Sequence, residues 1–219
     1  MEISTSVLNV KKDNYVHTFY NLETAKTDYF HIDVMDGKFV ENNNVDLMKD
    51  YAVTLSHISN LGLDVHLMVE NVEEMIDEFL VADPERITFH VEAIEDEERV
   101  KNIISDLKEQ GIKVGMSISP GTDIEKIVKY MPYLHMILVM TVVPGKGGQS
   151  LIPETLDVLK TLKQKAEELD LDIDFEVDGG IKQENVEEVV SCGANIVVVG
   201  TALLHAENPK AFVSNIKSL

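Results

Sequence analysis

"FHIDVMDG", residues 30–37, is an apolar run broken in one register only, first by His31 and then by Asp33. It reads as a buried strand. Residues two apart in a strand point the same way, so the imidazole and the carboxylate share a face. An ionised carboxylate inside such a run is expensive unless it is paired or bound to a metal. For either residue alone, a satisfied core histidine or a salt-bridged aspartate would be a sufficient explanation.

The pattern recurs. "FEVDGG", residues 175–180, repeats the phase, with Glu176 in the place of His31 and Asp178 in the place of Asp33. "LDVHLM", residues 63–68, puts Asp64 and His66 on one face near a third strand end. Three strand ends thus offer His31, Asp33, His66 and Asp178. Two imidazoles and two carboxylates suit a divalent first-row cation, and their mixed hardness does not choose among zinc, iron, manganese and cobalt.

Working outward, strand patterns lie near residues 3–8, 29–34, 63–68, 86–91, 113–117, 136–140, 173–178 and 195–200. Segments of helical period separate them. In residues 72–80, Val72, Met75, Ile76, Phe79 and Leu80 fall on one stripe. Residues 154–170 form another such segment, with Pro153 suited to its first turn. Asp123 and Glu184 sit near helix starts, where negative charge meets the helix dipole favourably. Strict alternation implies parallel neighbours joined by right-handed crossovers. Eight units in 219 residues fit a closed (β/α)8 TIM barrel, although an open doubly wound sheet could carry the same string. No linker or composition shift divides the chain, so residues 1–219 are read as one domain. In either architecture ligands bind at the carboxyl ends of the strands, where the four candidates lie.

A second stretch, "TVVPGKGGQS" at residues 141–150, follows the sixth strand. Gly145, Gly147 and Gly148, with Lys146 among them, form a loop whose amides can cradle a phosphate. The spacing is not that of a Walker loop. The ends of the last two strands add Gly179, Gly180, Gly200 and Thr201, where barrels often hold a phosphate. Met35, Met68 and Met140 fall in the tier of the proposed ligands, either as ordinary packing or as an apolar lid. Among the other histidines, His90 ends a strand and is a weaker candidate for the same cavity. His17, His57 and His205 read as surface residues, and His135 begins a strand at the opposite, stability face.

Composition narrows the class. With 39 acidic against 19 basic side chains the formal charge is −20, which repels a phosphate backbone and argues against nucleic acid as a partner. An anionic ligand must be held locally, by backbone amides or a metal. One cysteine, Cys192, leaves no disulfide framework or thiolate cluster. No apolar stretch approaches a bilayer span, so a soluble, cytoplasmic protein without a membrane partner is expected.

"HIDVMDGKFV", "LDVHLMVE", "LVMTVVPGKGGQSLIPE" and "EVDGGI", in this order, resemble the signature segments of the ribulose-phosphate 3-epimerases, and the similarity runs along essentially the whole chain. The resemblance implies a (β/α)8 barrel that inverts carbon 3 of a ketopentose 5-phosphate, interconverting ribulose 5-phosphate and xylulose 5-phosphate in the pentose phosphate pathway. It makes His31, Asp33, His66 and Asp178 ligands of one divalent metal. Asp33 and Asp178 become the catalytic acid and base, acting through an enediolate. Phosphate would lie on amides of Gly179, Gly180, Gly200 and Thr201, with Gly145, Lys146, Gly147 and Gly148 covering the substrate. Ser6 and His66 would contact substrate, Glu176 would support the metal from behind, and the assembly would be a homo-oligomer.

The chain departs from the family pattern in three places. Thr5 precedes Ser6 where the family carries proline, "FVENNN" stands for "FVPN", and Lys146 replaces the phenylalanine of G-F-G-G-Q. Lys146 is either a solvated loop charge or a counter-cation for phosphate. Two other functions share parts of this pattern: a 3-epimerase of a ketohexose 6-phosphate such as allulose 6-phosphate, and a metal-free barrel that only binds a phosphorylated metabolite.

Overall fold

The computed structural model describes residues 1–219. Eight strands alternate with helices along the chain. The first half runs β1 (Glu2–Ser6), α1 (Tyr15–Thr24), β2 (Tyr29–Met35), α2 (Val45–Ile58), β3 (Gly62–Met68), α3 (Val72–Phe79), β4 (Arg86–His90) and α4 (Glu97–Glu109). The second half runs β5 (Lys113–Ile118), α5 (Glu125–Val128), β6 (Met136–Met140), α6 (Thr155–Glu168), β7 (Asp174–Asp178), α7 (Val186–Ser191), β8 (Ile196–Val199), α8 (Thr201–Leu204) and α9 (Pro209–Lys217). Each strand pairs in parallel with the next, and β8 closes on β1 with Glu2 opposite Ile196 and Thr5 opposite Val199. Closure decides between the two architectures the alternation allows: the fold is a (β/α)8 barrel. The strand limits read from sequence are off by no more than two residues at any end.

The helices form where apolar spacing and end signals agree. In α4, Val100, Ile103, Ile104 and Leu107 are the buried stripe, and the Asp96 carboxylate caps the start by accepting from the amides of Glu98 and Arg99 at 3.0 and 3.2 Å. Each such side chain stabilises by roughly 1.5–3 kcal/mol on burial. In α3 the stripe is Val72, Met75, Ile76 and Phe79. Leu80, expected on it, instead opens a 3-10 turn that ends at Asp83, whose φ of 52° is left-handed. The crossover from β5 to β6 is the shortest helical one, a single turn at α5 with the Asp123 side chain accepting from the Glu125 amide at 3.0 Å. It still buries Ile127, Tyr130 and Met131. No helix is long and apolar enough to cross a membrane.

Side chains on the outer strand faces, such as Phe30, Ile32, Val65, Phe89 and Phe175, pack against the helices in one contiguous cluster of 58 buried residues. The inner faces are different. Ser4, His31, Asp64, Arg86, Thr88 and Glu176 fill the barrel interior, all buried. Buried polar groups demand partners. Arg86 meets Glu2 at 2.9 Å and stacks over the Tyr29 ring at the amino-terminal end of the barrel. The Ser4 hydroxyl donates to Asp64 at 2.7 Å.

One anchor ties the first loop to this frame. Tyr51 of α2 is fully buried, stacks on Tyr15 at 4.9 Å, and its hydroxyl donates to the Val10 carbonyl at 2.9 Å. Val10 follows Asn9, which reaches the carboxyl end of the barrel. Tyr51→Phe leaves that carbonyl without its partner, and a loss of about 1–3 kcal/mol in unfolding free energy is expected in urea titrations. A change below about 0.5 kcal/mol would show that the bond does not hold the loop.

Candidate metal and active site

Strand register brings the four sequence candidates together. Asp33 lies opposite His66 across β2 and β3, and His31 lies opposite Asp64. Asp178 ends β7, on the far side of the ring. One ligand atom from each of His31, Asp33, His66 and Asp178 lies within 4.8 Å of the others. His31, Asp33 and His66 are buried, and Asp178 is half-buried at the mouth.

The donor atoms are held from behind. His31 Nδ1 is 3.2 Å from Asp64 Oδ2, so its Nδ1–H donates to that carboxylate and Nε2 faces Asp33 Oδ1 at 3.3 Å. His31 Nε2 is buried and has no hydrogen-bond partner. His66 Nδ1 lies 3.4 Å from the same Asp33 oxygen. The other Asp33 oxygen accepts from the Ser6 hydroxyl at 2.8 Å. An orphaned buried imidazole nitrogen facing a carboxylate, with a second imidazole and a second carboxylate beside it, fits a divalent cation of the first transition row. The four side chains form a candidate metal-binding cluster.

A lower group, His31, Asp64 and Glu176, also clusters within 4.8 Å. Glu176 sits 3.9 Å from His31 Nδ1, and both its oxygens are buried without a hydrogen-bond partner. Burial first, and the Asp64 charge second, push Glu176 well above the usual carboxylate range, so it keeps its proton. Burial acts the same way on Asp64, but His31 outweighs it and holds Asp64 low. This layer is a neutralised network beneath the mouth.

The two mouth carboxylates diverge. Burial would raise Asp33, but His31 and His66 outweigh it and hold Asp33 well below the usual range. Burial, reinforced by the Asp33 charge, pushes Asp178 up to about 7. Burial lowers His66 to about 4; for His31, Asp33 and Asp64 overcome burial and push it well above the ordinary imidazole value. At neutral pH one carboxylate is ionised and its neighbour carries a proton for much of the time.

Above them opens a cavity of about 650 Å³. Its walls carry Ser6, Asp33, Asp178 and all the glycine-loop candidates: Gly145, Lys146, Gly147, Gly148, Gly179, Gly180, Gly200 and Thr201. His31 and His66 lie beneath the floor. Met35, Met68 and Met140 line the cavity in small clusters apart from the main core, as an apolar collar above the ligand set. Gly180 has φ +69°, and a Cβ there would collide with the Leu151 backbone nitrogen, so the βα7 turn runs flush against the βα6 loop. The Thr141 hydroxyl fixes this turn by donating to Gly179 O at 2.6 Å.

Sequence reasoning passed over the residues that set the loops. The Asn44 amide donates to the Asp33 carbonyl at 2.9 Å while its oxygen accepts from the Met35 amide at 2.8 Å. Asn42 donates to the Gly145 carbonyl at 2.6 Å, and Asn9 donates to the Thr201 hydroxyl at 2.9 Å. The "NNN" run that departs from the family pattern therefore ties the second loop to the sixth. Gln149 closes that loop on itself by donating to the carbonyls of Val143 and Lys146. His90 is fully buried behind His66 rather than beside Asp33. His135 accepts from the Val114 amide at 3.0 Å just before β6, at the stability face where it was expected.

Residues 2–204 match the family model described as Ribulose-phosphate 3 epimerase family. The chain belongs to that family. This epimerase is 38% identical over 193 residues to the ribulose-phosphate 3-epimerase of Schizosaccharomyces pombe, covering 88% of this chain and 82% of that protein. It is 37% identical over 198 residues to the Escherichia coli K12 enzyme of that name, covering 89% and 84%. With the Synechocystis relative it shares 32% over 217 residues, 99% of this chain and 93% of the other. Among solved structures, 3-keto-L-gulonate-6-phosphate decarboxylase from Vibrio cholerae superposes with a TM-score of 0.74 at 12% identity over 99% of this chain and 95% of that one. That likeness concerns the barrel alone.

The raised Asp178 carboxyl makes a sign-specific prediction. Its folded value of about 7 exceeds the ordinary 3.8, so the proton is held more tightly in the folded state. The stability it confers is complete below about pH 4 and is lost as the pH rises through about 7. In chelator-treated protein, Asp178→Asn should flatten the fall in unfolding free energy between those limits, by about 1–4 kcal/mol. Urea midpoints across that range check it, and an unchanged slope would show that Asp178 titrates normally.

Proposed function

We propose that this epimerase interconverts ribulose 5-phosphate and xylulose 5-phosphate, holding one divalent cation with His31, Asp33, His66 and Asp178 and moving the carbon-3 proton with Asp33 and Asp178. The observation that carries this reading is the convergence of His31, Asp33, His66 and Asp178, with two carboxylates on strands β2 and β7 well apart around the ring and one ligand atom from each residue within 4.8 Å of the others. Inversion beside a ketone needs a base on one face of the carbon and an acid on the other. One of Asp33 and Asp178 takes the proton from one face, the other returns one to the opposite face, and the roles exchange in the reverse direction. A bound cation supplies Lewis-acid stabilisation of the negative charge that develops on the substrate oxygens. The donor set leaves zinc, iron, manganese and cobalt all eligible.

The remaining residues orient and enclose. Ser6 holds one Asp33 oxygen, so the other is the one presented to substrate or cation. The amides of Gly179, Gly180, Gly200 and Thr201 take the phosphate locally, which a protein of charge −20 requires. The loop from Gly145 to Gly148, tethered by Asn42, covers the sugar, and the methionine collar keeps water from the reacting carbon. The cavity of about 650 Å³ also leaves room for one more hydroxymethylene. A ketohexose 6-phosphate is therefore the second reading, and the ratio of kcat/KM on the two sugars decides between them.

Asp33→Asn and Asp178→Asn should each lower kcat for ribulose 5-phosphate by about 10²-fold or more in metal-replete protein. Full turnover in either variant would remove that residue from the proton-transfer pair. Wild-type protein should also exchange the carbon-3 hydrogen with deuterated solvent, and absence of exchange would leave only phosphosugar binding. If Lys146 pairs with the substrate phosphate, Lys146→Phe raises KM by about 3- to 10-fold at low ionic strength. An unchanged KM would identify Lys146 as a solvated loop charge.

A further inference from the structure

Behind His66 lies a set of buried and half-buried side chains that the proton transfer does not use. His66 Nε2 is 3.0 Å from His90 Nε2, with both residues fully buried and the rings 5.0 Å apart. His90 Nδ1 is 3.0 Å from Glu92 Oε2. The Ser119 amide donates to Glu92 Oε1 at 2.8 Å, and the Ser119 hydroxyl lies 3.3 Å from His90 Nδ1. Phe39 covers the His90 ring at 4.7 Å.

Two imidazole nitrogens 3.0 Å apart can share one proton, so one ring donates and the other accepts. Glu92 decides which. A carboxylate accepts only, so His90 carries its proton on Nδ1 and offers a bare Nε2. His66 then donates from Nε2 once its Nδ1 lone pair has a cation to face; without a cation, the ionised Asp33 competes for a proton on Nδ1. Burial alone would raise Glu92, but donation from His90, Thr122 and the Ser119 amide holds it at about 2. His31 is fixed in the mirror sense: Asp64 takes its Nδ1–H, and Nε2 faces the cluster.

We propose that Glu92 and His90 form a positioning relay that locks His66 as the Nε2–H tautomer, so that its Nδ1 lone pair points at the cation; this rests on the metal site proposed above. His90 and Glu92 touch neither the substrate cavity nor the ligand set's donor atoms, so their effect passes through His66. The spacing suits the task. His90 ends β4 and Glu92 stands two residues on, beyond the ladder, where it can turn back onto the ring and receive the Ser119 amide from the loop after β5.

Glu92→Gln inverts the polarity with almost no change in shape. If the glutamine oxygen accepts from the Ser119 amide, its NH2 faces His90 Nδ1 and drives the His90 proton to Nε2, against His66. The turned-over amide would keep an acceptor at His90 Nδ1 but sets its NH2 against the Ser119 N–H, so the first orientation is favoured, and it drives His66 toward the Nδ1–H tautomer, which has no lone pair for the cation. Removal of such a supporting hydrogen bond typically weakens metal binding by about 10- to 100-fold.

The first test needs no variant: nitrogen-15 long-range spectra of the zinc-loaded wild-type protein should show His66 protonated on Nε2 and His90 on Nδ1, and a proton on His66 Nδ1 or on His90 Nε2 would overturn the relay. The second is zinc affinity by competition with a chromophoric chelator. Glu92→Gln should bind zinc about 10- to 100-fold more weakly, with the metal-free melting temperature close to wild type and the His90 proton moved from Nδ1 to Nε2. Ser117→Ala, a neighbouring buried strand position outside the relay, should leave affinity unchanged. Glu92→Gln affinity within about twofold of wild type would refute the relay while leaving the metal site standing. A wild-type protein that takes up no zinc, iron, manganese or cobalt would refute the metal site itself, and the relay's purpose with it.

Discussion

The barrel interior carries more carboxylate than it can leave ionised, and the arrangement of the mouth follows from that constraint. Asp33, Asp64, Glu176 and Asp178 converge on His31, and the one fixed cation of the interior, Arg86, is paired with Glu2 at the opposite end. The effective penalty for an uncompensated buried charge is several kcal/mol. The chain relieves it by three means: Glu176 and Asp178 are pushed toward their protonated forms, His31 bridges Asp33 and Asp64, and hydroxyls of Ser4 and Ser6 donate to the carboxylates that stay charged. What remains is a set of oxygen and nitrogen donors facing one point, with the outer side of each ring tied elsewhere. A divalent cation held there would replace the protons that the metal-free cluster must otherwise hold, coupling metal binding to proton release.

Much of this was legible in the sequence because barrel strands expose their inner face with a period of two. His31 and Asp33, Asp64 and His66, and Glu176 and Asp178 could each be assigned to one face without knowing the fold. The alternation of strands and helices left closed and open sheets equally allowed, since the pairing of β8 with β1 is a contact between the two ends of the chain and leaves no local trace. The partners of the ligands were illegible for a related reason. Asp64 meets His31, and His90 meets His66, only because neighbouring strands are in a particular register. Spacing within one strand says nothing about register between two.

The loops show the opposite limit. Where the chain departs from its family's pattern, the run of asparagines might have signalled a different pocket; instead Asn42 and Asn44 bond to main-chain groups of the sixth loop and of β2. An asparagine side chain offers both a donor and an acceptor, so it can pin a turn that another sequence pins by restricting φ. Asn9 does the same between the first loop and Thr201. Side chains thus connect the second loop to the sixth and the first to the last, on the rim where a highly acidic protein must receive an anion by local amides.

The internal repeat places one carboxylate in each of two unlike settings. Asp33 and Asp178 occupy the same phase of one short motif, yet their carboxyls are pushed in opposite directions, so the motif itself cannot be the cause. Their neighbours differ. Asp33 on β2 stands between Ser6 at the end of β1 and His66 directly opposite on β3, both of which favour its charged form. Asp178 on β7 stands opposite Met140 of β6 and Val198 of β8, apolar on both sides, with Asp33 as the nearest strong charge. Desolvation by a methionine and a valine, against solvation by a serine and two histidines, pushes two chemically identical groups apart. The strands that flank the repeated motif, rather than the motif, therefore set how tightly each carboxyl holds its proton.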